Sequence, residues 1–523
     1  MLTFLPLFLL LLIVLLVEII SRSKLNIGNQ WLILILAVTL VLGSTIFLRA
    51  HLPTPIVISN WLEGSANQIV FQLDDKSWVF IFGLVAFLSA MMFMDTIHLH
   101  ERSNLRSWSR IILLFCMGVL GALANSLMAF ILVWTIIDVV ELIVHITGTG
   151  GFSVSDQSVI VFFAHLVGTF LILPVLVSHS TGTAVLSELS LAPQNVTLLI
   201  LSSALRMPVY DGKNLSKEKE PIDKALQSLR QILFPYLAMV LLARLPEFSS
   251  LNGFPLVILI LASCIVIVAS FSAFDQKNNK NVLMVFSGLS VISVLRGDAE
   301  GVIGWAILML VLLGLPQIFT YQKMGFIPMI ALIGFSAIGL PISISNSSIL
   351  SLSHGSLSFF NIFIWIGLAY MLGGMIQNFI KPSKEKEPEA WMIVLYTIGV
   401  VIISFLPWFP GFWGVKSADR NPFLWQSIVI FVIAFTIILI RTNDLIREKC
   451  MKWLPPRIQR GLINGYRSPD RAASVYRLVD ILYEIIQQGI NTINKVLEGE
   501  GGLLWAFVLL VLLLSLLMSM VGG

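Results

Sequence analysis

WTIIDVVELIVH, residues Trp134–His145, lies inside an apolar run yet carries Asp138, Glu141 and His145. The spacings i, i+3 and i+7 place these side chains, with Trp134, along one stripe of a helix. An acidic residue at mid-bilayer costs about 2.5–3.5 kcal/mol on insertion scales. Two acids in one span therefore need water, a cation or a partner helix beside them. Two readings stand side by side. The stripe is either structural, holding one ion pair with a neighbouring helix, or a site that carries protons or cations; the second is the sharper expectation.

The surroundings of this stretch place it in a membrane. The chain of 523 residues is 57% hydrophobic and only 12% charged, with a mean hydropathy of +0.92. Soluble domains carry about 25% charged residues, so the composition predicts a polytopic membrane protein. Met1–Ile20 lacks a basic leader region and a small-residue cleavage site, and reads as a first span rather than a removable signal. Cys116, Cys264 and Cys450 are too scattered for a disulfide framework or a metal site.

Apolar runs long enough to span fall at 1–20, 30–48, 77–95, 111–129, 130–146, 158–178, 194–209, 231–246, 253–273, 282–297, 301–320, 325–344, 356–379, 390–408, 422–440 and 503–521. This predicts about 16 transmembrane helices. Of the 33 Lys and Arg residues, 26 fall in or beside the odd-numbered loops and 6 in or beside the even-numbered ones, Arg206 lying within a span. By the positive-inside rule both termini are then external, and 98–110, 211–230, 381–389 and 441–501 are cytoplasmic. The domain reading is a transmembrane core at 1–440, a cytoplasmic segment at 441–501 and an anchor span at 502–523.

Within the cytoplasmic segment, Ser468-Pro469-Asp470 supplies an N-cap with proline at the first helical position. From there to Glu498, Val475, Leu478, Val479, Leu482, Ile485, Ile486, Ile490 and Ile493 line one face. Residues 470–498 thus form an amphipathic helix of about eight turns, suited to a membrane surface, a partner subunit or its own bundle. No loop contains a glycine-rich phosphate motif, a Cys/His metal spacing or a nucleophile elbow. No cofactor, metal, catalytic residue or nucleic-acid partner is expected.

Several stretches occur in the order of one family. Ile58–Trp78, ISNWLEGSANQIVFQLDDKSW, resembles an outer hairpin leading into the third helix; Asn125–Trp134, NSLMAFILVW, resembles the approach to the fifth. Lys280–Leu295, KNVLMVFSGLSVISVL, and Phe335–Ser343, FSAIGLPIS, resemble two later helices. Together with the amphipathic helix before a final span, they resemble the antiporter-like membrane subunits of respiratory complex I, Mrp antiporters and membrane-bound hydrogenases. The resemblance implies an all-α fold with a 14-helix core of two inverted repeats, a lateral helix and a C-terminal anchor. It implies a membrane-arm subunit of a complex I-like, NADH/quinone oxidoreductase-type assembly, without a redox centre of its own, that translocates protons or sodium ions. Its partners would be other membrane subunits and the lipid bilayer, in a bacterial inner or internal energy-transducing membrane. Alternatives are a non-pumping scaffold, an Mrp-type sodium/proton antiporter and an inorganic-carbon-uptake subunit.

The chain departs from the family at the ionisable positions. Trp134 is followed by Thr135 where the family has Trp-Glu, with Asp138 and Glu141 later on the helix. Counting back five from Pro208, where the family has Lys, gives Ser203, with Arg206 nearby; no central Lys or His is recognisable in WAILMLVLLGLPQIF. An arginine holds charge but does not release a proton at ordinary pH. Arg206 is expected to pair with Asp138 or Glu141, and His165, mid-span and titrating near neutrality, suits a relay. The ion-translocation candidates are therefore Asp138, Glu141, His165 and Arg206. His145, His179, Glu18 and Asp95 are expected at interfaces, and Arg244, Arg296, Asp298 and Glu300 hydrated at span ends. Pro208 and Pro341 are candidate helix breaks.

Overall fold

The computed structural model describes residues 2–442 apart from short stretches, the longest being 59–67, 208–220, 381–388 and 413–424. The chain divides into Met1–Asp444 and Leu445–Gly523. The second unit, with the expected amphipathic helix 470–498 and anchor span, lies outside the described residues, as do Pro208 and His179.

Among the described residues, the regular structure of the first unit is helical apart from one short hairpin. It opens with α1 (Leu5–Ser21) and α2 (Ile27–Leu48), then strands β1 (Ile56–Ile58) and β2 (Ile69–Phe71). Next come α3 (Asp75–Met94), α4 (Arg106–Leu123), α5 (Leu127–Gly148), α6 (Asp156–Phe170), α7 (Ile172–Ser178) and α8 (Pro193–Arg206). The middle holds α9 (Pro221–Arg244), α10 (Phe254–Ser272), α11 (Asn279–Leu295), α12 (Gly301–Ile318), α13 (Ile327–Ala337) and α14 (Ser345–Ser351). It closes with α15 (Ser358–Ile380), α16 (Ala390–Phe405), α17 (Phe409–Phe412) and α18 (Trp425–Thr442).

Local chemistry explains several boundaries. α3 starts at a capping box in which Asp74 accepts from the Ser77 backbone N–H while the Ser77 hydroxyl accepts from the Asp74 N–H, satisfying two of the orphan donors of a helix start. Proline stands in the first turn of α1, α8, α10 and α13, where its missing N–H is harmless. β1 and β2 pair antiparallel, Ile56 opposite Phe71, forming the hairpin expected before the third helix. Phe71 bridges onward to Ala124, and Gln72 N–H donates to Leu123 O, which ties the hairpin to the α4–α5 turn.

Three expected spans are revised. The sixth is interrupted between α6 and α7. The helix expected from 231 begins at Pro221, taking in ten residues assigned to a loop. The run 325–344 is helical only to Ala337, then turns through Gly339 (φ 76°) and Ile342 (φ 78°) before α14. Positive φ costs glycine nothing, but it strains a β-branched isoleucine; with Pro341 between them the helix cannot continue. Of the two readings open for Pro341, a bare kink and a helix break, the break is the one present.

α3 is buried from Ser77 to Met94 and packs on α2, α4, α12 and α16. α9 and α12 run beside it, also buried over most of their length. Large apolar side chains on α1, α2, α10, α15 and α18, such as Leu36, Phe47, Leu261 and Val432, face outward. So much exposed apolar surface is untenable in water and natural against lipid. Among the described residues, Leu2–Ser21, Ile27–Leu48, Asp75–Leu99 and Phe254–Ser272 are long and apolar enough to span alone; other apolar helices are shorter over their described lengths.

A buried ion pair as the candidate functional site

α5, α6 and α8 pack side by side, with α8 also against α9. From them the sequence's candidate residues converge. Asp138 projects from α5, His165 from α6 and Arg206 from the last turn of α8, and they are 5%, 4% and 1% exposed. The Arg206 guanidinium donates from Nη1 to Asp138 Oδ2 and from Nη2 to Oδ1, both at 2.8 Å. This is a bidentate, charge-assisted pair. Nη1 also donates to Thr169 Oγ1 at 2.8 Å and to the His165 carbonyl at 3.2 Å. The Trp134 ring lies over the guanidinium, 4.4 Å from its Cζ to the ring centre, a cation–π contact.

His165 meets the same carboxylate. Its Nδ1 is 3.5 Å from Asp138 Oδ1, and its ring packs on Phe234 of α9 at 4.7 Å between centroids. Thr169, one turn along, donates back to the His165 carbonyl. Asp138 is therefore shared by a permanent cation and by an imidazole that can gain or lose a proton. With a neutral imidazole the cluster carries no net charge; protonation makes it +1.

One glycine makes this geometry possible. A Cβ on Gly168 would come within 2.9 Å of the Ser202 carbonyl and 3.1 Å of Arg206 Cγ. Its absence lets α6 and α8 touch, the means by which helices associate within lipid. Ser202 seals the contact, its Oγ donating to Gly168 O at 2.6 Å.

Of the four expected site residues, three are brought together, with Arg206 paired to Asp138. Glu141 lies on α5, and its side chain, with that of His145, is outside the described residues. Gly168, Thr169, Ser202 and Phe234 were missed by sequence reasoning; only the small-residue character of GT in 168–169 hinted at close helix approach. Ser203 is fully buried, and its Oγ has no hydrogen-bond partner among the described residues.

A second polar cluster occupies the later half. Ser293 Oγ on α11 and Ser351 Oγ on α14 are 2.7 Å apart, and Trp305 Nε1 on α12 donates to Ser293 Oγ at 3.0 Å. Ser348 donates to the Gly301 carbonyl at 2.6 Å. Every side chain named here is neutral.

At the start of α3, Arg244 pairs with Asp74 (Nη1 to Oδ2, 3.1 Å) and donates to Ala122 O. Lys76 donates to Ala243 O. The expectation that Arg244 and Arg296 stay hydrated is overturned: both are buried. A guanidinium at a span end can reach sideways to carboxylates and carbonyls of other helices, which linear position does not reveal.

No family model and no curated protein matches the chain. Solved structures do. A chain of the Mrp complex from Dietzia sp. DQ12-45-1b aligns with a TM-score of 0.65 at 15% identity, over 100% of this chain and 63% of that one. A chain of the membrane-bound sulfane sulfur reductase, an archaeal respiratory membrane complex, aligns with a TM-score of 0.60 at 14% identity, over 98% of this chain and 100% of that one. A chain of respiratory complex I from Thermus thermophilus with bound NADH gives 0.54 at 14% identity, over 84% and 100%. At these identities the likeness is one of fold. The protein is a predominantly helical, multi-pass membrane protein that shares its fold with chains of these three complexes.

Proposed function

We propose that this chain is a membrane subunit of a multisubunit, complex I-like or Mrp-like assembly that moves protons or cations across an energy-transducing membrane, such as a bacterial inner membrane. One observation carries the reading: a titratable imidazole lies 3.5 Å from a carboxylate already neutralised by arginine, inside the helix bundle. Arg206 fixes Asp138 and does not relay, because its guanidinium keeps its charge. His165 is the group that loads and releases the proton. Glu141, one turn beyond Asp138, supplies a second acid on the same helix. The fold neighbours, all from membrane complexes, support the subunit role. In that setting residues 470–498 lie along a neighbouring subunit, and 502–523 anchor the chain.

A non-pumping scaffold is the second reading. It is favoured by the later half, whose hydrogen-bonded cluster of Ser293, Trp305, Ser348 and Ser351 contains no titratable group. Proton and sodium flux in vesicles separates the two. His165→Gln, in complexes assembled to normal levels, is expected to lower flux by about 10²-fold or more, the scale of a lost acid–base group. Unchanged flux in His165→Gln and in Glu141→Gln would leave the scaffold.

A further inference from the structure

Arg206, Arg244 and Arg296 are each at least nine-tenths buried. Arg206 has Asp138 and Arg244 has Asp74. Arg296, which directly follows α11 and is 8% exposed, forms no ion pair among the described residues. Its Nη1 donates to the carbonyl of Leu352, at the end of α14. Its Nε and Nη2 are buried and have no hydrogen-bond partner among the described residues. Those two nitrogens share one edge of the planar group, so their N–H bonds run parallel. This edge is the one that grips two oxygens of a carboxylate or phosphate together.

An uncompensated buried guanidinium with two idle donors is costly; among the described residues the other two buried arginines each meet a carboxylate, and of these Arg244 leaves its Nε unpartnered. We propose that the Nε/Nη2 edge of Arg296 is an oxyanion site that takes a phosphate group. Two sources offer this chemistry: the headgroup of an anionic phospholipid, available at the level where a span ends, and free inorganic phosphate from the neighbouring water. Either would place a negative charge between the ends of α11 and α14, where Arg296 already bridges the two elements. The site lies apart from the Asp138 cluster and does not depend on the function proposed for it.

The test uses the full chain purified in neutral detergent and stripped of lipid. Its unfolding temperature is measured while phosphatidylglycerol, phosphatidylcholine or sodium phosphate is titrated, and retained lipid is read by native mass spectrometry. The wild type is expected to be stabilised by phosphatidylglycerol well beyond phosphatidylcholine if the source is a lipid, or by millimolar phosphate if it is the free ion. Arg296→Gln should bind that species about 10–100-fold more weakly, as expected for the loss of charge-assisted bonds. If Arg296→Gln does not fold, Arg296→Lys, which keeps the charge but loses the parallel donors, should still weaken binding about tenfold or more. Equal stabilisation of wild type and variants, or none by either probe, overturns the proposal. Protection of this edge only in the assembled complex would assign it to a partner subunit's carboxylate and overturn it as well.

Discussion

The two polar clusters of this bundle are built alike and charged differently. Each brings three helices together around a fully buried tryptophan, Trp134 in one and Trp305 in the other. In the first, the tryptophan covers an arginine locked to an aspartate, with a histidine beside them. In the second, the indole N–H donates to a serine that is itself joined to another serine. Hydroxyls satisfy buried polar groups at modest cost, whereas a buried ion pair is held only while both partners remain. The first cluster can change its charge by one proton; the second cannot, and is suited to holding helices.

The largest effect expected from this contrast is at Arg206. Arg206→Ala strands the Asp138 carboxylate away from water and should cost about 3–5 kcal/mol, read as loss of membrane-assembled protein. Because replacing both partners by apolar groups is often neutral, the pair Asp138→Leu with Arg206→Met should recover assembly without recovering flux. Recovery of both would show the first cluster to be no more than the second is.

A smaller effect is expected at Ser293. Ser293→Ala removes the acceptor of the Trp305 indole N–H and one of the two partners of the Ser351 hydroxyl, at about 1–3 kcal/mol, measured by thermal unfolding in detergent. Ion flux at matched protein levels should stay unchanged. A flux loss without a stability loss would break the distinction between the two regions.

The smallest effect concerns Asp74, outside both clusters. Burial alone raises its carboxyl, but the Arg244 guanidinium and the Ser77 hydrogen bonds outweigh this and hold it below the usual carboxylate range. A carboxyl depressed in the folded state adds stability above its unfolded value, near 3.9, and loses it as pH falls through that value toward the folded one. Wild type should therefore lose unfolding temperature between about pH 5 and 3 more steeply than Asp74→Asn, which still accepts at the helix start but carries no charge.

Much of this was legible along the chain, because lipid imposes a simple rule. Backbone groups must be satisfied within helices, so apolar run length alone located α1–α6 and most later helices, and Pro341 marked a break. The stripe holding Asp138 stood out for the same reason: a charge in an apolar run has few explanations. What linear order did not contain was the choice of partner. That Arg206 meets Asp138 rests on the approach of α8 to α6, which Gly168 permits by having no side chain. Likewise Arg244 and Arg296 lie at span ends where water is the simple expectation, yet the fold turns both inward. Periodicity reports which face of a helix is apolar; only the packing of helices distant in sequence decides which charges that face encounters.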